Sequence, residues 1–182
     1  ATNQNDILHR VISKGTYSIE NVSETITPSM DIQIASNFER LIYDLNNYSD
    51  EKTIEAMKSI KEKGKYVISK ESLDKINIDF LSSSIDENEI LKTIKTVYEK
   101  FNIVLDPHSA IGYGAFDKVN LKGNNIVLAT AHPCKFPNAI EKAINLKAEL
   151  PNELTFILDE KENYDIIEND LNLIKQHIKE KI

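Results

Sequence analysis

An unbroken apolar run, Ile126-Val127-Leu128-Ala129-Thr130, restricts the folds open to this chain more than any other feature. A run of this length without polar alternation is typical of a strand that is buried on both faces of a parallel sheet. Helical periodicity surrounds it over 5–13, 31–45, 51–63, 86–101, 137–147 and 165–180, and a further helix begins at Asp106-Pro107. We therefore predict an α/β fold in which helices outnumber strands.

Local signals predict where these elements begin and end. Gly15 and Gly64 stand where the first and third helices are expected to stop. Asp86, followed three residues later by Glu89, predicts a capping box. Short strands are expected at 66–68, 80–81 and 103–105.

N-terminal caps are expected for the first two helices as well. Asn5 or Asp6 is predicted to cap the first helix and Ser29 the second, since short polar side chains accept hydrogen bonds from free N–H groups.

Composition excludes several classes of protein. The formal charge of -7 disfavours nucleic-acid binding, because polyphosphate would be repelled. No apolar run reaches the length of a membrane span. The single cysteine and the spacing of the four histidines predict neither a disulfide framework nor a metal site. We expect a cytoplasmic protein without a membrane or nucleic-acid partner.

Glycine is scarce, at 5 residues in 182, and no glycine-rich phosphate loop is present in this sequence. The chain also opens at Ala1 without Met and without a secretory pattern. We expect it to begin within a longer protein.

Arginine is used sparingly, since Arg10 and Arg40 stand against 20 lysines. The planar guanidinium suits bidentate binding of a carboxylate or a phosphate. A structural ion pair within a helix, for example with Glu39 or Asp44, is the alternative for these arginines.

Polar residues follow the apolar run at the edge where ligands bind in open α/β sheets. Thr130 either bonds a ligand there or satisfies a backbone group at the strand end. His132 and Cys134 are interpreted as structural. Asp106 is predicted to cap the next helix, whose first turn carries Ser109, and His108 is expected to face solvent.

Four sequence segments resemble threonine synthases of the longer bacterial and fungal type, both in their residues and in their order along the chain. They are ATNQNDILHR (1–10), PSMDIQIASNFERLIYDL (28–45), LDPHSAIGYGA (105–115) and LATAHPCKFPNAI (128–140). The resemblance implies a pyridoxal-phosphate (PLP) enzyme of the tryptophan-synthase-β-like architecture, fold type II, which converts O-phospho-L-homoserine and water to L-threonine and phosphate. It further implies that residues 1–182 are a C-terminal portion of the catalytic region, within which about 46–100 is a family-specific insertion.

The resemblance also implies roles for individual residues. Thr130 matches the position whose hydroxyl faces the pyridine nitrogen of the cofactor, and Ser109 lies beside the cofactor ring. Asn3, Asn5 and Asp6 are expected on the substrate side, and Arg40 is a hypothetical ligand of the substrate phosphate. The catalytic residues proper are expected upstream. The Schiff-base lysine and the phosphate loop belong to the missing N-terminal half, so this segment alone is expected to be inactive.

The sequence is compatible with two alternatives. One is a non-catalytic binding module derived from the same fold, and the other is a related PLP-dependent dehydratase of serine or threonine. The string Ser36-Asn37-Phe38-Glu39-Arg40 argues against the dehydratase. In either case, unpaired sheet edges predict that the segment packs against the missing half or associates with itself.

Overall fold

The structure, a computed structural model, describes residues 1–119 and 121–182. Over these residues it contains eight α-helices and two short strands. In chain order they are α1 (Ile7–Lys14), β1 (Thr16–Ser18), α2 (Phe38–Leu45), α3 (Asp50–Lys63), β2 (Lys65–Val67), α4 (Lys70–Asp79), α5 (Glu87–Phe101), α6 (Pro107–Val119), α7 (Pro137–Ile144) and α8 (Leu171–Lys181). Short 3-10 helices span Pro28–Met30, Pro133–Lys135 and Asn152–Leu158. The chain divides into two units, residues 1–149 and 150–182.

The described residues of the first unit form two apolar clusters. One lies around α1 and the antiparallel pair of β1 with β2, in which Thr16 pairs with Val67, and its fully buried members include Val11 and Tyr17. The turn from α1 into β1 occurs at Gly15, whose φ of 67° is left-handed. The predicted helix ends at Gly15 and Gly64 are therefore confirmed.

The second cluster joins α5, α6 and α7, and it carries the functional residues described below. Ile90 and Ile94 of α5 are fully buried against Ile111 of α6 and Ile140 of α7. Burying each isoleucine side chain contributes about 1.5–3 kcal/mol. The small residues of α6 allow this close approach, since a Cβ at Gly114 would lie 3.2 Å from Thr93 Oγ1 of α5.

Polar contacts fix the start of α5 and its pairing with α6. Asp86 and Glu89 form the predicted capping box. Lys118 of α6 lies 2.6 Å from the Glu89 carboxylate. The Lys118 ammonium donates a hydrogen bond to this carboxylate, and the Asp86 backbone N–H donates another. These two hydrogen bonds hold the pKa of Glu89 below its ordinary value.

The helix predicted over 31–45 forms only from Phe38, and Ser29 is not its cap but lies in a 3-10 turn. Residues 31–37 have other partners. The Asp31 carboxylate accepts hydrogen bonds from the N-terminal segment, and the Ala35 N–H donates to the Tyr17 hydroxyl at 2.8 Å. The first helix also lacks the predicted side-chain cap, because Asp6 bonds Arg10 instead.

Three of the predicted strands do not form in the described residues. Phe80 ends α4, a helix that the sequence did not predict, and no strand forms at 80–81 or 103–105. The apolar run at 126–130 is not assigned as a strand either, and Ile126 is 89% exposed. A strand requires a hydrogen-bonded neighbour, and nothing in the described residues pairs with this run.

The second unit consists of the 3-10 helix Asn152–Leu158 and α8. The Asp170 carboxylate caps α8 by accepting from the N–H groups of Asn172 and Leu173. Asp165 pairs with His177 and Lys181, and the Lys181 hydrogen bond lowers the pKa of Asp165. The predicted helix at 165–180 begins only at Leu171. None of the helices described is both long and apolar enough to cross a membrane.

Candidate functional site

The N-terminus of α6 is organised by a buried carboxylate. Asp106 is 1% exposed, and its Oδ1 accepts hydrogen bonds from the backbone N–H of His108 at 2.9 Å and of Ser109 at 3.4 Å. Pro107 occupies the first helical position, where no N–H is needed. The predicted cap is confirmed, but Asp106 also bonds two side chains.

Ser109 links this carboxylate to the end of the apolar run. Its hydroxyl donates to Asp106 Oδ2, and its oxygen accepts the Thr130 N–H at 2.9 Å. The two hydroxyl oxygens of Ser109 and Thr130 lie 3.4 Å apart. Because the Ser109 proton is held by the carboxylate, Thr130 carries the hydroxyl whose proton can be offered to a ligand.

His108 is the second side chain that Asp106 holds. Its Nδ1 lies 3.2 Å from Asp106 Oδ1, and its ring packs on Phe136 with the centroids 4.6 Å apart. The expectation that His108 faces solvent is wrong, since the residue is 9% exposed. Its Nε2 is buried and has no hydrogen-bond partner in the described structure.

Two cavities adjoin the Ser109–Thr130 contact. A cavity of about 850 Å³ is lined by Thr130, His108 and many apolar side chains. A second, of about 460 Å³, is lined by Asp106, Ser109 and the segment 131–133. The two residues predicted beside the cofactor thus meet at an accessible place, and Thr130 itself is exposed.

The residues predicted on the substrate side form a separate polar network. Asn3 Nδ2 lies 2.7 Å from Asp31 Oδ1 and 2.9 Å from Thr27 Oγ1, and Asn5 Nδ2 donates to the same Asp31 atom at 2.9 Å. Both amides are buried, so their hydrogen bonds are made within the chain. Sequence reasoning missed Asp31, although it lies in one of the four matching strings.

The two arginines have different environments. Arg10 bonds Asp6 at 2.7 Å and Glu20 at 2.6 Å, so the structural interpretation of Arg10 is confirmed. Arg40 is exposed and forms no ion pair within 4.0 Å among the described residues. It lines a cavity of about 480 Å³ that shares no lining residue with those beside Thr130.

The described residues contain no group of three or more His, Cys, Asp or Glu side chains that could hold a metal ion. The candidate site is therefore built from hydroxyl, carboxylate, imidazole and amide groups. Its accessible hydroxyl at Thr130 can hydrogen-bond a neutral ring nitrogen or a polar substrate group.

Comparison with known proteins identifies relatives over the whole chain. A family model described as "Threonine synthase, C-terminal" matches residues 109–178. The threonine synthase of Pseudomonas aeruginosa is 34% identical over 98% of this chain and 39% of its own length. That of Saccharomyces cerevisiae is 35% identical over 100% of this chain and 41% of its own length.

A solved structure agrees with these matches. The crystal structure of PLP-bound threonine synthase from Brucella melitensis superposes with a TM-score of 0.87 and 36% identity, covering 99% of this chain and 39% of that protein. This chain thus spans about 40% of the length of the relatives it matches. Sequence and fold agree that it is homologous, over its whole length, to the C-terminal part of the threonine synthases, which are fold-type-II PLP enzymes.

Proposed function

We propose that this segment forms the C-terminal part of an enzyme that converts O-phospho-L-homoserine and water to L-threonine and phosphate with PLP. The observation that carries the proposal is the contact of Thr130 with the Asp106–Ser109 pair at the wall of an accessible cavity. The homology supplies the reaction class.

The residues present fit this cofactor. Thr130 would hydrogen-bond the pyridine nitrogen, because its hydroxyl is exposed and its contact with the Ser109 oxygen is long, at 3.4 Å, and could be exchanged for the ring nitrogen. When bound, PLP draws electron density from a substrate carbanion into its ring. A neutral hydroxyl at the ring nitrogen leaves that nitrogen largely unprotonated, which suits replacement chemistry.

Ser109 and Asp106 act as positioning residues in this proposal. The carboxylate orients the Ser109 hydroxyl, and the Ser109 oxygen then fixes the backbone of Thr130. Since Asp106 is buried and holds four donors, the arrangement is built before any ligand arrives. Such preorganisation reduces the ordering cost of binding.

We further propose that Arg40 binds the substrate phosphate, since its exposed guanidinium can make two parallel hydrogen bonds to that group. Asn3, Asn5 and Asp6 contribute to the substrate side through the backbone that they hold in place, because their side chains are engaged within the chain.

The remaining polypeptide is proposed to supply the cofactor lysine and the loop for the cofactor phosphate. We propose that the complete enzyme acts in the cytoplasm, consistent with a single unpaired cysteine. Within it, we propose that the residues from about 46 to 100 are an insertion characteristic of this family.

The test uses a joined enzyme, in which this segment follows the part of the P. aeruginosa relative that lies outside the match. We expect threonine and phosphate in equal amounts from O-phosphohomoserine, and no product from the 182-residue chain alone. Thr130→Ser should retain most of the activity, whereas Thr130→Val should lose at least about tenfold, as expected for one lost polar contact. Ammonia release from threonine or serine without phosphate release would instead identify a dehydratase.

A further inference from the structure

The loop at residues 20–26 is held by side chains and lies outside every helix and strand of the described structure. None of its backbone N–H groups donates to another backbone group among the described residues. Four of these N–H groups donate instead to side-chain oxygens, which belong to Gln33, Asn5, Asp31 and Glu87. Because the loop has no backbone ladder of its own, its conformation depends on these polar side chains.

Asp31 joins this loop to the N-terminal segment. Its Oδ1 accepts hydrogen bonds from the side-chain amides of Asn3 and Asn5, at 2.7 and 2.9 Å, and from the Thr25 hydroxyl at 2.7 Å. Its Oδ2 accepts the Thr25 backbone N–H at 2.8 Å. Both oxygens therefore act as acceptors, as those of an ionised carboxylate do and the two ends of an amide cannot.

The same residue borders the cavity that Thr130 lines. The 3-10 turn Pro28–Met30 is followed directly by Asp31, whose N–H donates to the first carbonyl of that turn at 3.2 Å. Two residues of the turn, Ser29 and Met30, line the cavity of about 850 Å³ together with Thr130. One residue thus connects the asparagines of the N-terminal segment to a wall of this cavity.

We propose that Asp31 is a positioning residue for the substrate. In the proposed function, Asn3 and Asn5 belong to the substrate side and act through the backbone that they hold. Asp31 accepts from both of their amides and also fixes the adjoining turn, so it orders this side of the site before a substrate binds. Such preorganisation reduces the ordering cost of binding. The role of Asp31 rests on the proposed function and names the residue that orders its substrate side.

A second carboxylate serves the cofactor side. Asp106 orients the Ser109 hydroxyl, whose oxygen accepts the Thr130 N–H. The hydrogen bonds of Asp31 and those of Asp106 have no residue in common. A substitution of Asp31 should therefore affect the binding of the substrate and leave the binding of PLP intact.

Asp31→Asn in the joined enzyme tests this role. The substitution keeps the size of the side chain but replaces one acceptor oxygen with an NH2 group. In one orientation this group faces the Thr25 N–H, and in the other it faces the amides of Asn3 and Asn5. We expect KM for O-phosphohomoserine to rise at least about tenfold, with a smaller fall in kcat. The dissociation constant of PLP should stay unchanged.

Thr25→Val is a milder test of the same network at a half-buried position. It keeps the shape of the side chain and the backbone N–H that donates to Asp31, but it removes the hydroxyl donor. We expect KM for O-phosphohomoserine to rise in this variant too, by less than in Asp31→Asn.

Two substitutions outside the network are matched controls. Asp74→Asn removes the same charge from an exposed position on α4 and should leave KM unchanged. Gly64→Ala strains a left-handed backbone, with φ at 64°, in the same unit. It should lower the melting temperature without changing KM.

Hydrogen exchange followed by mass spectrometry examines the network in the joined enzyme without turnover. The Thr25 amide donates to Asp31, and the Met30 amide donates within the turn to the Thr27 carbonyl at 2.8 Å. We expect peptides that span 23–31 to exchange at least about tenfold faster in Asp31→Asn. The amides of α3 should keep their rates.

An unchanged KM in Asp31→Asn would overturn the role of Asp31. A parallel rise in KM and in the PLP dissociation constant would also overturn it, as would an equal rise in KM in Gly64→Ala, because either result indicates a general loss of structure. The exchange measurement separates this role from the reaction. A joined enzyme that releases no phosphate refutes the proposed function, whereas equal exchange over 23–31 with and without the substitution refutes the role of Asp31.

Discussion

The Asp106–Ser109–Thr130 contact leads to a quantitative prediction for Ser109→Ala. The substitution removes two hydrogen bonds, one from the Ser109 hydroxyl to a buried carboxylate and one from the Thr130 N–H to the Ser109 oxygen. A hydrogen bond to a charged group contributes about 1.5–3 kcal/mol, and a neutral one about 0.5–1.5 kcal/mol.

These two losses act in different places. Three other groups still donate to Asp106 in the variant, so its carboxylate is not left without partners. The free energy of unfolding of the first unit should therefore fall only by the value of the one lost hydrogen bond, about 1.5–3 kcal/mol. Thr130 is exposed and its N–H has no other partner in the described structure, so the second loss should mainly release the segment at 126–130.

Urea unfolding followed by circular dichroism measures the first effect, and the exchange rate of the Thr130 amide measures the second. Ser59→Ala is a matched control, because its hydroxyl donates to the Lys65 carbonyl at an exposed site and should contribute less than about 1 kcal/mol. The reasoning is refuted if Ser109→Ala and Ser59→Ala unfold at the same urea concentration, or if the Thr130 amide exchanges as slowly as before.

Three further perturbations test other parts of the structure. Gly15→Ala should lower the free energy of unfolding by about 1–2 kcal/mol, because alanine is strained in the left-handed backbone conformation. Gly64→Ala should cost less, because a Cβ at Gly15 would lie 3.1 Å from a leucine methyl whereas one at Gly64 would be 3.8 Å from its nearest neighbour. Equal melting temperatures of the two variants would contradict this. Glu89→Gln should destabilise at neutral pH, since Lys118 lowers the pKa of Glu89 and this stability is fully present above the ordinary value of 4.5. The difference should vanish as the pH falls through the lowered pKa, and a difference that persists in acid would point to packing instead. Arg40→Lys in the joined enzyme should raise KM for O-phosphohomoserine more than it lowers kcat, and an unchanged KM would remove Arg40 from the proposed phosphate site.

Sequence reasoning succeeded where the determinant of structure is local. Glycine at 15 and 64 and the capping box at 86–89 specify helix ends through atoms a few residues apart. It failed at 31–37, where partners distant in the chain hold Asp31 and Ala35, and at 126–130, where a strand requires a neighbour.

For the candidate site, too, local features were predictable from the sequence and contacts between distant residues were not. Asp106 as a cap follows from the Asp-Pro sequence, and the resemblance placed Ser109 and Thr130 near one another through a shared cofactor. His108 is buried with its ring against Phe136, a contact that the local sequence around Asp106 does not reveal. The substrate-side roles of Asn3, Asn5, Asp6 and Arg40 stay predictions.

The distribution of pairings along the first unit has a consequence for the order of folding. Helices α5 and α6 are consecutive, so their cluster can form after closing only a short loop. The other cluster requires Thr16 to meet Val67, and the bridge of Thr2 with Ser84 encloses all of it. Closing longer loops costs more entropy and slows folding. We therefore expect α5 and α6 to associate first and the N-terminal residues to pair with Ser84 last.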